Sequence, residues 1–147
     1  MTDGFFPSST LVSRPKIGLL PKCGACGLHK NCLSPKMKLA GEGRRGILIV
    51  GEAPGKTEDE QGKPFIGKSG RLLKESLRKV GIELYRDCWI TNAVICRPKH
   101  NRNPTENEIN CCLPNLNRIM QKKKPKVVIP LGRFGITSVM KLLWKSN

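Results

Sequence analysis

Gly46-Ile-Leu-Ile-Val-Gly51, running directly into Glu52-Ala-Pro-Gly55, is the stretch from which the fold can be read. A short apolar run rich in β-branched residues between glycines describes a buried strand. The break into a loop carrying Glu52, Pro54 and Gly55 puts that loop at the strand's C-terminal end, where open α/β sheets bind their ligands. Downstream, Ser69 to Val80 has helical spacing, with Leu72, Leu73, Leu77 and Val80 predicted to face inward and Gly81 to close the C-terminal end. Cys88 to Val94 reads as a second strand. Pro104 is followed by Thr105-Glu-Asn-Glu108, a capping box that opens a helix running to about Lys122. Lys126-Val-Val-Ile-Pro-Leu131 reads as a third strand, and Gly132 leads into a last helix. Strand and helix alternate three times, which implies a short parallel sheet with right-handed crossovers and helices on both faces, a three-layer α/β/α arrangement.

The 147 residues suit one domain with one core. Residues 1–22 carry Ser8, Ser9, Thr10, Ser13 and three prolines without sustained periodicity, so they are expected to form a tail or lead-in to a domain spanning 23–147. No internal repeat interrupts that domain.

Lys and Arg number 27 against 11 Asp and Glu, a formal charge of +16 spread from Lys16 to Lys145. Such an excess suits a polyanion, with nucleic acid the expected partner, against the plain alternative of a solvated basic surface. The seven cysteines are odd in number, and the N-terminus lacks the apolar core of a signal peptide. A disulfide framework is therefore not expected; a reducing, cytoplasmic setting is, and clustered cysteines there suggest metal. No apolar run approaches the roughly 18 residues of a membrane span.

Gly55-Lys56-Thr57 after a strand suggests a phosphate-binding loop, but the register excludes it. That loop needs a glycine five positions before the one preceding the lysine, and Val50 stands there. Pro54 also has no N–H to offer a phosphate. Read onward, the chain gives Gly51-Glu-Ala-Pro-Gly55, Glu58-Asp59, Gly62-Lys-Pro-Phe65, Gly67 and Gly70-Arg-Leu-Leu73. This string resembles the first motif of the uracil-DNA glycosylase superfamily. Thr91-Asn-Ala-Val94, Cys96-Arg-Pro98, Asn101-Arg-Asn-Pro-Thr105 and Glu108-Ile109 with Cys112 resemble its iron-sulfur branch, often called family 4. The resemblance covers about residues 23 to 135.

A glycosylase must hold an extruded base flat, read its edge, and bring water and negative charge to the sugar carbon that becomes cationic. The resemblance implies that Phe65 is the face on which the uracil stacks; a core aromatic is the plain alternative. Asn92 ends the second strand with an amide that offers both a donor and an acceptor, as O4 and N3–H of uracil require, although asparagine there is often only a turn residue. Glu52 is implied to position or activate the hydrolytic water and to stabilise cationic charge, with the backbone of Gly51 and Ala53 lining the same pocket. Glu58 and Asp59 match motif letters, and shaping of the loop is as natural a role for them as chemistry.

Cys23 and Cys26 form a C-x2-C pair, and Cys96 and Cys112 have fifteen residues between them. By resemblance these four bind a [4Fe-4S] cluster, whose ligands are thiolates. Cys111 is left as a bystander beside Cys112. Zinc on Cys23, Cys26, His29 and Cys32 is the alternative, with very tight loops between ligands. His100 sits in the basic loop Arg97 to Arg102, which either touches DNA phosphate or is merely solvated.

The resemblance also implies a fourth strand and a His-Pro-Ser loop after the third strand. The chain ends at Asn147, and its two histidines, His29 and His100, both precede that strand. The expectation is a domain truncated before its last strand or completed by a partner chain, with the third strand left as an exposed edge. Two functions stand open: a glycosylase that hydrolyses the N-glycosidic bond of uracil in single- or double-stranded DNA, and a catalytically incomplete iron-sulfur module that binds DNA or a protein partner within a larger nucleic-acid complex.

Overall fold

The apolar run that opens the domain becomes its central strand. In the computed structural model, which describes residues 23–144, β1 (Ile47–Gly51) lies between β2 (Cys88–Asn92) and β3 (Val127–Pro130) in a sheet of order β2-β1-β3. Both pairings are parallel: Ile47 stands opposite Cys88 and Val127, and Gly51 opposite Asn92. A strand hydrogen-bonded on both sides and covered on both faces reads as continuously apolar, and Leu48, Ile49 and Val50 are 0% exposed.

Among the described residues, five α-helices surround the sheet: α1 (Lys56–Gln61), α2 (Lys68–Lys79), α3 (Leu84–Asp87), α4 (Glu106–Lys123) and α5 (Gly132–Leu143). Alternate residues of a strand point to opposite faces. Leu48 and Val50 pack with Leu113, Leu116 and Met120 of α4 and Val139 and Leu142 of α5. Ile47 and Ile49 pack with Leu73 and Leu77 of α2 and Leu84 of α3. The result is the three-layer α/β/α sandwich that the alternation of elements predicts. Each fully buried aliphatic side chain contributes roughly 1.5–3 kcal/mol, so the two clusters supply most of the drive to fold. Gly135 lets α5 lie directly on β1, since a Cβ there would stand 2.5 Å from the Val50 carbonyl oxygen.

Two expectations change. Helix α2 buries only a narrow stripe: Leu73 and Leu77 face the sheet, while Leu72 and Val80 are 66% and 69% exposed. Leu72 is one residue, about 100°, round the helix from Leu73. Val80 has already left helical geometry at φ −105°. Strand β2 ends at Asn92 rather than Val94, because the N–H groups of Ala93 and Val94 turn to the carbonyls of Gly51 and Glu52 at 2.8 and 3.0 Å. The outer edge of β2 is covered at one point by an antiparallel bridge from Ala40 to Ile90. Strand β3 forms the other edge, with Val127 exposed. The expected lead-in, 1–22, lies outside the described residues.

Candidate functional site

The C-terminal ends of β1 and β2 open into a cleft of about 520 Å³, within the range of small-ligand sites. Gly51, Glu52, Ala53, Phe65 and Asn92, the five residues to which the resemblance gives a place in the base pocket, all line it. Their meeting point is Gly51. A Cβ there would collide with Cζ of the Phe65 ring and stand 2.5 Å from the Asn92 side-chain oxygen. The ring and the amide therefore converge over a bare backbone, one offering an aromatic face and the other a donor and acceptor pair. Glu52 follows at once, half-buried, its carbonyl accepting from the Val94 N–H. The cross-connection from Ala93 to Gly51 ties the loop that carries the carboxylate to the strand end that carries the amide.

The loop residues are held by the two acids that follow them. Glu58 Oε1 accepts from the Gly67 N–H at 2.8 Å, joining α1 to the start of α2 across the cleft. Asp59 is buried and accepts from the N–H groups of Leu33 and Ser34 at 3.1 and 2.8 Å. It thereby ties the cysteine-bearing segment to the pocket loop. Both acids shape the loop, and Glu58 also lines the cleft.

Sequence reading missed Lys56, Lys68, Asn101 and Leu131 as lining residues. Leu131 follows β3, and the rule that ligands sit beyond the carboxyl ends of parallel strands points to it. Lys56 and Lys68 set positive charge at the rim. In the basic loop, Arg97 donates to Asn101 Oδ1 at 2.7 Å and Arg102 is committed to Glu108, whereas Lys99 and His100 are exposed. His100 and Asn101 both have left-handed backbone, φ 55° and 56°, in the turn that brings Asn101 to the cleft.

The four expected cluster ligands, Cys23, Cys26, Cys96 and Cys112, line one small, largely apolar cavity, together with His29 and Cys111. Cys96 and Cys112 are buried in the apolar group that Leu28, Val94, Ile95 and Ile109 complete, with Ala53 of the pocket loop packed against it. Burial pushes the Cys112 thiol up to about 12 and the Cys96 thiol up to about 11. Thiols raised in this way stay protonated unless a metal draws off the proton. The backbone N–H of Lys36 donates to Cys96 Sγ at 3.2 Å, the kind of contact that stabilises a ligating sulfur. Nδ1 of His29, against the same cavity, is buried with no hydrogen-bond partner among the described residues. A sulfur-rich, apolar cavity fits the donor chemistry of an iron-sulfur cluster. Among the described residues no three His, Cys, Asp or Glu side chains converge as a metal-holding group, and this holds for the four cysteines of the cluster and for the zinc alternative alike. Cys111, next to Cys112 in the chain, also lines the cavity. Cys32 packs against the same apolar group from outside the cavity.

Residues 40–145 match the family model of the uracil DNA glycosylase superfamily. A type-4 uracil-DNA glycosylase of Pyrobaculum aerophilum is 42% identical over 127 residues, 85% of this chain and 63% of that protein. One from Archaeoglobus fulgidus is 39% identical over 120 residues, 82% of this chain and 59% of that protein. A DNA polymerase of Bacillus phage SP01 is 33% identical over 110 residues, which are 74% of this chain and 12% of the polymerase. The chain thus spans less than two thirds of the length of the glycosylases it matches. With the first motif string lining one cleft beside Asn92 and the match running through all three strands, the chain belongs to the uracil DNA glycosylase superfamily.

Proposed function

We propose that this chain provides the base-recognising and hydrolytic pocket of a uracil-DNA glycosylase, braced by a [4Fe-4S] cluster on Cys23, Cys26, Cys96 and Cys112. The observation that carries the reading is the convergence of the Phe65 ring and the Asn92 amide over Gly51, with Glu52 the next residue. An extruded uracil stacks on Phe65, and its O4 and N3–H edge meets the amide of Asn92. The Glu52 carboxylate orients water toward the sugar carbon and opposes the positive charge that develops as the base departs. Lys56 and Lys68 at the rim, with Lys99 and His100 on the neighbouring loop, favour the phosphates on either side of the extruded nucleotide. When bound, the cluster supplies a covalent crosslink between the segment around Cys23, the stretch after β2 and helix α4. Residues 23–147 then form the glycosylase-like domain, with 1–22 as its lead-in.

A second reading, that of a binding module within a larger nucleic-acid assembly, is favoured by one observation. The matching stretch in the phage DNA polymerase is a small part of a much longer chain. The two readings part on uracil release from a labelled single-stranded oligonucleotide by anaerobically purified 147-residue chain. Release that falls at least about 100-fold with Glu52→Ala supports the glycosylase, since a positioned general base contributes on that scale. No release, with salt-sensitive DNA binding retained, supports the module.

A further inference from the structure

Among the described residues, Phe65 is the one aromatic that lines the cleft, and its backbone is in the left-handed region at φ 59°. For a bulky residue this is a true outlier, and it persists only where the surroundings dictate it. Two elements do so. From one side, α2 lies hard against the Phe65 peptide: a Cβ at Gly70 would collide with the Phe65 carbonyl. From the other, the Tyr85 hydroxyl of α3 donates one shared proton to the carbonyls of Pro64 and Phe65, at 2.8 and 3.1 Å. The Tyr85 ring is itself held, with Lys63 Nζ 4.0 Å from its centroid. Tyr85 does not line the cleft.

We propose that Tyr85 is a positioning residue for base recognition: its hydroxyl holds the Pro64-Phe65 turn in the strained conformation that lays the phenylalanine ring over Gly51. The inference rests on the glycosylase reading of the pocket. Burial and the nearby Glu58 carboxylate both hold the Tyr85 phenol above its ordinary value, so the hydroxyl remains a donor across the neutral range. Without that donor the turn relaxes toward ordinary backbone geometry, and the ring swings from the position where it meets the Asn92 amide.

The test is a double-mutant cycle on the 147-residue chain, with KM and kcat for uracil release as the readout and thermal unfolding alongside. Tyr85→Phe keeps the ring and removes only the hydroxyl. Its KM is expected to rise about two- to tenfold, the size of one net hydrogen bond, with the unfolding temperature little changed. In a Phe65→Ala background the same substitution is expected to add nothing, because Tyr85 acts through the ring that has been removed. An unchanged KM in Tyr85→Phe, or equal effects in both backgrounds, overturns the proposal while leaving the glycosylase intact. Absence of release from the unsubstituted chain overturns the glycosylase reading and this inference with it.

Discussion

A side chain at Gly51 would need the space that the Phe65 ring and the Asn92 amide already occupy. Gly51→Ala puts a methyl group into that space, against a ring on one side and an amide on the other, and neither can retreat without leaving its place in the pocket. Uracil release is expected to fall at least about tenfold while circular dichroism stays native-like; comparing the rates of the two proteins on one oligonucleotide checks it. Phe65, Asn92 and Glu52 could be picked out in the sequence because each stands in a motif string, Glu52 and Asn92 at strand ends and Phe65 between α1 and α2. Tyr85 could not. Its acceptors are backbone carbonyls 20 and 21 residues away, and a tyrosine in a short helix carries no sign of which carbonyl it will reach. The strain at Phe65 was equally hidden, since nothing in Lys63-Pro-Phe65 announces a left-handed residue that is not glycine.

Among the elements, the start of α4 was the most legible. Thr105 accepts from the Glu108 N–H at 3.2 Å and Glu108 accepts from the Thr105 N–H at 2.9 Å, a complete capping box. The Arg102 guanidinium beside Glu108 holds its carboxyl below the ordinary value of 4.5, against the opposing effect of burial. A carboxyl lowered in the folded state adds stability that is fully present above its ordinary value and is lost as pH falls through the lowered one. Urea unfolding of the chain is accordingly expected to need less denaturant below about pH 4.5, and Thr105→Ala to cost about 1 kcal/mol at neutral pH. Because α4 carries Cys112, fraying at its first turns reaches the cysteine cavity. Helix α2 was read less well: the spacing of its leucines shows an apolar face, but the width of the stripe that the sheet covers is set by packing, and Leu72 falls outside it.

At the scale of the whole molecule, the pocket and the cysteine cavity share one frame. Strand β2 delivers Asn92 to the first, and the chain four residues later brings Cys96 to the second. Asp59 and Ala53 bind the pocket loop to the cysteine segment and its apolar surroundings. The parallel sheet was legible from the alternation of elements. Its order β2-β1-β3, with α2 and α3 on one face and α4 on the other, is what two crossovers of one hand produce when the chain reverses direction across the sheet. The meeting of Cys23 and Cys26 with Cys96 and Cys112 was expected only through family resemblance, since about 70 residues separate the pairs and spacing alone does not bring them together. Among the described residues no helix is long and apolar enough to cross a membrane. The formal charge of +16 suits a surface that meets phosphate. The central claim, that the cleft at the ends of β1 and β2 is built for a flat base with the edge of uracil, is tested most directly by titrating free uracil into isotope-labelled chain and following the Asn92 side-chain amide and the Phe65 ring by NMR. Saturable shifts of both signals with uracil, absent with adenine, are the expected result; shifts of neither, in a chain that is otherwise folded, would contradict the account.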